Sequence, residues 1–320
     1  MPLLPEVKIN HPVWQFNGHL QTIIPNMLRR VEGVQYERER IETWDNDFLD
    51  LDWSKQGSDT LLIATHGLAG SSSAVYIKGL VKIANDHGWD ALAWNYRGCS
   101  GEPNRNLYSF HGGKSDDLEW VIRHAFEQHG YQHIYLTGVS MGGNITMKLL
   151  GEWGENIPYP VRKAVAISVP LDMYATSFHL IKGWNRIYSN RYLRQYKEML
   201  RHKQQKFPDA WDYDYVFASQ NLHLFVERFT APSFGFRNAE IYLTTQSSLH
   251  FIDQIRIPVL LVNADNDPFL TERSYPEESA RNSDYLHFLK TSGGGHVGFD
   301  EKGKPKYNWM ERQTMEFFSK

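Results

Sequence analysis

Residues 134–153 read IYLTGVSMGGNITMKLLGEW. An apolar run ends in Gly138-Val139-Ser140-Met141-Gly142 and passes directly into a segment of helical composition. A G-x-S-x-G pattern between a strand and a helix predicts a sharp turn with Ser140 at its apex. Side chains at the flanking positions would strike the neighbouring strand and helix, so glycine is needed there. The pentapeptide alone is common in Gly/Ser turns; the strand before it and the helix after it make it specific. Ser140 is therefore a candidate nucleophile, and a serine hydroxyl needs a base, an orienting acid and an oxyanion site to act as one.

The same alternation extends in both directions. TLLIAT (60–65), DALAWN (90–95), AVAISV (164–169), PVLLVN (258–263) and YLHFLK (285–290) join IYLTG (134–138) as short, near-continuously apolar strands. Such runs suit a parallel sheet covered by helices on both faces. Between them, 74–87 carries Val75, Leu80, Ile83 and Ala84 on one face and stops at Gly88. Segment 115–128 opens with Ser-Asp-Asp, read as an N-terminal cap, and 308–318 reads as a closing helix. The fold class predicted is a doubly wound, mostly parallel α/β sheet.

Two stretches depart from this rhythm. Residues 1–55 form a leader with at most a hairpin around Tyr36 to Trp53. Residues 171–250 lack core strands and read as a helical cap inserted into a core made of 1–170 and 251–320. The cap is basic, with Lys182, Arg186, Arg191, Arg194, Lys197, Arg201, Lys203 and Lys206 against Glu198, while Leu193, Tyr196 and Leu200 recur at helical spacing. The favoured reading is a solvated helix with one face on the core; the sharper one is an interfacial helix that attracts anionic lipid. The cap aromatics Trp184, Tyr188, Phe217 and Phe225 would suit an apolar acyl group or form a small core of their own.

The partners of Ser140 fall where loops leave strand ends. After TLLIAT comes His66-Gly67-Leu68-Ala69-Gly70, whose Leu68 N–H is the candidate first oxyanion donor; the Met141 N–H is the second. His66 lies too early in the chain for a base and reads as structural. After PVLLVN come Asp265 and Asp267, both open as the acid. After YLHFLK comes Gly293-Gly294-Gly295-His296, which places His296 as the base.

Composition narrows the alternatives. The 320 residues are 41% apolar with a net charge of −3, enough for a sizeable core and without the basic excess of a nucleic-acid binder. Cys99, the sole cysteine, allows no intrachain disulfide and no thiolate zinc cluster, and reads as an ordinary small residue rather than a redox thiol. The histidines show no H-E-x-x-H spacing, and the loop at 66–73 lacks both phosphate-loop spacings, so no metal or cofactor is expected. The opening MPLLPEVKIN has no signal-peptide pattern and no apolar run is long enough to span a bilayer, which makes the cytoplasm the expected compartment. Peripheral membrane contact has no support in the sequence, and oligomeric state is not legible.

With these residues assembled, the chain resembles the YheT-like α/β-hydrolases, relatives of the membrane-anchored abhydrolase-domain lipases of animals. The resemblance rests on Gly18-His19-Leu20-Gln21-Thr22, His66-Gly67-Leu68, Asn95-Tyr96-Arg97-Gly98, Gly138 to Asn144, Asp267-Pro268-Phe269 and Gly294 to Phe299, in that order. It implies the α/β-hydrolase fold and a Ser140-Asp267-His296 esterase of carboxylic, fatty-acyl esters, and it favours Asp267 over Asp265; the function expected is cofactor-independent hydrolysis of short- to medium-chain acyl esters. The animal relatives carry an N-terminal membrane span, and none is read here. A thioesterase or acyltransferase would use the same triad, whereas a catalytically silent binding protein would have no need of it.

Overall fold

The computed structural model describes residues 3–303 and 306–320. Its strands are β1 (Val7–Lys8), β2 (Glu37–Glu42), β3 (Phe48–Ser54), β4 (Thr60–Thr65), β5 (Asp90–Asn95), β6 (His133–Val139), β7 (Val161–Ile167), β8 (Val259–Ala264) and β9 (Leu286–Ser292). They form one sheet in the order β1-β9-β8-β7-β6-β4-β5-β3-β2. From β1 to β5 all neighbours are parallel; β3 joins β5 antiparallel, and β2 pairs antiparallel with β3 as a hairpin.

The apolar runs behave as their composition requires. Successive side chains point to opposite faces of a strand, so Leu61, Ile63, Leu136 and Ala164 pack under α3 (Ser115–His129) and α4 (Met141–Trp153). Leu62, Ala64, Val139 and Val165 face α2 (Val75–Asp86) and the closing helix Trp309–Ser319. Both faces of the central strands β4, β5 and β8 are thus buried. Each fully buried Leu or Ile contributes about 1.5–3 kcal/mol, and truncating one, such as Leu62→Ala, would cost about 2–5 kcal/mol.

Two expectations need correction. The leader is more than a hairpin: β1 extends the sheet beyond β9, and α1 (Gly18–Leu28) is a helix capped by the Asn17 side chain. Pro25 inside α1 disguised it, because proline withdraws an N–H from the helix ladder. The Ser115-Asp116-Asp117 cap is not built. Lys114 holds the cap position without a side-chain bond, and the Ser115 hydroxyl donates instead to Glu152 at 2.5 Å. Asp116 and Asp117 still sit in the first turn, where they oppose the positive end of the helix dipole.

Between β7 and β8 the chain runs through α5 (Met173–Leu180), α6 (Arg186–Lys206) and a series of short helical turns. The basic stripe of α6 is only partly solvated. Leu193 and Leu200 are buried as their spacing predicts, but Lys203 is buried too, its ammonium donating to the carbonyls of Asn104 and Asn106. Of the four aromatics singled out in this stretch, Phe225 belongs to a small local core, Phe217 packs against it, Tyr188 faces the cavity described below and Trp184 is exposed. Among the described residues, no helix is long and apolar enough to cross a membrane.

Candidate active site

The turn between β6 and α4 takes the form its glycines predict. Ser140 adopts φ 56°, a region that L residues rarely enter, and the bend aims its side chain away from the sheet. A Cβ on Gly138 would lie 2.4 Å from the Gly142 carbonyl oxygen, and one on Gly142 would lie 2.3 Å from that of Thr65. Both contacts are with backbone that cannot yield, so neither position admits a larger residue.

Two loops from further along the sheet converge on this serine. His296 Nε2 lies 2.9 Å from Ser140 Oγ, and His296 Nδ1 lies 2.8 Å from Asp267 Oδ2. With the Nδ1–H donating to the carboxylate, Nε2 is left as the acceptor for the serine O–H. Asp267 is fixed in turn, since its Oδ1 accepts the Phe269 N–H at 2.8 Å. All three side chains are buried, and the Phe269 ring lies flat on the imidazole with centroids 3.9 Å apart. Asp265 is exposed and turns elsewhere, accepting the Gly293 N–H at 2.8 Å. The geometry thus brings Ser140, His296 and Asp267 together and leaves Asp265 out.

The β4 loop completes the wall. A Cβ on Gly67 would come 3.2 Å from that of Ser140, so the backbone leading into Leu68 runs beside this serine. Leu68 and Met141 line the same space as Ser140, and Met141 begins α4, where the first N–H groups have no intrahelical acceptor. His66 is structural, as expected. Its Nδ1 donates to the Gly67 carbonyl at 2.8 Å, its Nε2 accepts the Tyr96 N–H, and burial pulls its pKa down to about 4. Burial pushes the Cys99 thiol up to about 12, so it carries no reactive thiolate.

Several residues that sequence reasoning left without a role hold this arrangement. Gln21 Oε1 accepts the Gly294 N–H at 2.7 Å and an Asn266 amide N–H at 2.9 Å, so one leader side chain clamps both the histidine loop and the acid loop. Thr22 Oγ1 accepts the His296 N–H at 2.8 Å. Pro25 cannot donate to the Gln21 carbonyl four residues back, and that freed carbonyl lies against Gly298, where a Cβ would meet it at 1.8 Å. His19 Nδ1 is 3.0 Å from the Tyr188 hydroxyl of α6. Asn144 ties α4 to Gly112, Gln246 and Ser248. The Gly-His-Leu-Gln-Thr string was the visible signal; Trp14, a few residues before it, is half exposed and makes none of these contacts.

Two cavities meet at Ser140. One, of about 350 Å³, lies between α1, the β4 loop and α6, with Ile23, Tyr76, Tyr188, Arg191, Phe269 and His296 among its walls. The other, of about 100 Å³, runs beneath the helices that follow β7 and is lined by apolar residues such as Met173, Leu180, Leu222, Val226 and Leu243. A third and larger space of about 560 Å³ shares Arg191 and Gln195 with the first but reaches neither Ser140 nor His296.

Comparison with known proteins agrees with this architecture. Residues 60–303 match the family described as the alpha/beta hydrolase fold. The chain is 32% identical over 289 residues to the putative esterase YheT of Escherichia coli K12, covering 88% of this chain and 84% of that one. It is 29% identical over 316 residues to the phospholipase ABHD3 of Homo sapiens, covering 95% and 77%. The esterase Pf2001 of Pyrococcus furiosus superposes with a TM-score of 0.58 at 18% identity over 91% of this chain and 96% of that one, a likeness of fold alone. The chain therefore belongs to the α/β-hydrolases, in their YheT-like group of esterase- and lipase-type hydrolases.

Proposed function

We propose that this protein hydrolyses carboxylic esters of short- to medium-chain acyl groups through an acyl-enzyme on Ser140. The observation that carries the reading is the unbroken relay from Ser140 Oγ through His296 to Asp267, with bonds of 2.9 and 2.8 Å, in a buried setting between two cavities. His296 Nε2 takes the serine proton as Oγ attacks the ester carbonyl carbon. The negative oxygen of the tetrahedral intermediate is met by the Leu68 and Met141 N–H groups, and Asp267 steadies the imidazolium. Collapse expels the alcohol, protonated by His296. Water then adds to the acyl-enzyme by the same steps in reverse and releases the acid.

The two cavities divide the substrate. The apolar space of about 100 Å³ suits the acyl chain, and its small size favours a short one. The larger space of about 350 Å³ is left for the alcohol. In this reading residues 171–250 are the cap whose side chains set acyl length.

The test is labelling by a fluorophosphonate probe and turnover of p-nitrophenyl esters from acetate to dodecanoate, each beside Ser140→Ala. Labelling and turnover that both vanish in the variant support the proposal. Labelling without ester turnover moves the acceptor to thioesters or acyl transfer, and no labelling of the folded wild type leaves a non-catalytic binding protein.

A further inference from the structure

Far along α3 from the nucleophile, three side chains from two elements converge. Glu39 points from β2 toward α3, and His124 and His129 point back from the second half of that helix and its end. Glu39 Oε1 is 2.9 Å from His124 Nε2, and Glu39 Oε2 is 3.1 Å from His129 Nε2. One ligand atom from each residue lies within 4.8 Å of the other two. The helix starts near the carboxyl ends of the strands, where Ser140 sits, and ends at the opposite edge, so this cluster takes no part in the chemistry above.

The cluster is held by its surroundings. Trp53 Nε1–H donates to Glu39 Oε2 at 2.7 Å and fixes the carboxylate. The His129 ring packs on the Trp53 ring with centroids 4.5 Å apart. Because side chains alternate along β2, Arg38 and Arg40 leave on the other face and are occupied by Asp52 and Asp50, so the strand sends no cation toward the histidines. All three side chains are only partly buried, which leaves room for a water molecule as a further ligand. Two imidazoles, one carboxylate and one open position make a donor set that zinc and its neighbours in the transition series accept, with bonds of about 2.0–2.2 Å.

We propose that Glu39, His124 and His129 form a binding site for a zinc-class divalent cation, which pins the edge strand β2 to the end of α3. Small side-chain rotations bring the two Nε2 atoms into reach of one ion, and both imidazoles bind in their neutral form. The ligands come from widely separated stretches of sequence, so no local motif announces them.

The experiment uses the full chain stripped with chelator. Zn²⁺ is titrated calorimetrically and by thermal unfolding, and Co²⁺ by visible absorption, in the wild type and in His124→Gln, His129→Gln and the double variant. Expected are one equivalent bound with a rise in Tm, at least about tenfold weaker binding in each single variant, loss in the double variant, and intense four-coordinate cobalt bands. Ester turnover in the double variant should match wild type. Absence of one-to-one binding, or equal binding in the double variant, overturns the site. If the double variant does not fold, the wild-type cobalt spectrum decides, since a weak six-coordinate spectrum rejects the proposal.

Discussion

Thr22 and His296 lie at opposite ends of the sequence, yet the Thr22 hydroxyl oxygen accepts the backbone N–H of His296 at 2.8 Å. The bond ties the His296 backbone to α1, and a 1 Å misplacement of a reacting group can cost about a hundredfold in rate. Thr22→Val keeps the shape and removes the acceptor, leaving a buried N–H unpaired. The expected result is kcat lower by about 10- to 100-fold with KM little changed, and recovery in Thr22→Ser. Steady-state kinetics alongside the rate of fluorophosphonate labelling check this, and an unchanged labelling rate would assign Thr22 a purely structural part.

The two aspartates after β8 make a direct contrast. Asp267→Asn keeps the shape but loses the acceptor for His296 Nδ1–H, and in a triad that change costs about 10⁴ in kcat. Asp265→Asn touches only the Gly293 N–H, so its activity should stay within about tenfold of wild type. Equal losses in the two variants would mean that the carboxylates exchange roles in solution.

Acyl length should follow the walls of the smaller cavity. Leu222→Ala lengthens that space and is expected to move the best p-nitrophenyl substrate toward longer chains, at a stability cost of about 2–5 kcal/mol. Val226→Phe fills it and should leave only the shortest esters turning over. A chain-length profile of kcat/KM for each variant is the measurement. Profiles that do not move would place the acyl group in the other cavity.

Acid should destabilise the fold through two buried imidazoles. Burial lowers the pKa of His66 to about 4, and burial together with the Lys114 charge lowers that of His111 to about 3. In the unfolded chain both take a proton near pH 6.5. Between these values the unfolded state binds more protons, so stability is highest above pH 6.5 and falls as pH drops toward 4. Each imidazole contributes a slope of up to about 1.4 kcal/mol per pH unit. Urea unfolding at stepped pH should show this slope, and His111→Gln should reduce it by up to about 1.4 kcal/mol per pH unit between pH 4 and 6.

Much of this was written plainly in the chain. Strands β4, β5, β6 and β8 are legible because both of their faces are buried and their composition is uniformly apolar. Ser140 and His296 are legible because glycines surround them, and the bends they require admit little else. Asp267 could not be separated from Asp265 on local grounds; only the folded loop shows which carboxylate turns inward. Helix α1 was hidden by Pro25, and Gln21, Thr22 and Asn144 act through contacts between segments far apart in sequence, which no local pattern carries. The buried Lys203 defeats periodicity as well, because its three carbonyl acceptors lie on a loop about a hundred residues earlier.

The clamp of Gln21 and Thr22 on the loops at 266 and 294–296 has a consequence for how the molecule is made. During synthesis residues 21 and 22 emerge well before the segments they must grip. Until then Gln21 Oε1 and Thr22 Oγ1 lack the loop N–H groups that they accept, and the serine turn can form before His296 is in place. Docking of the leader onto these loops therefore waits until they have been made, and a nascent chain stalled before Gly294 would hold Ser140 without His296 beside it.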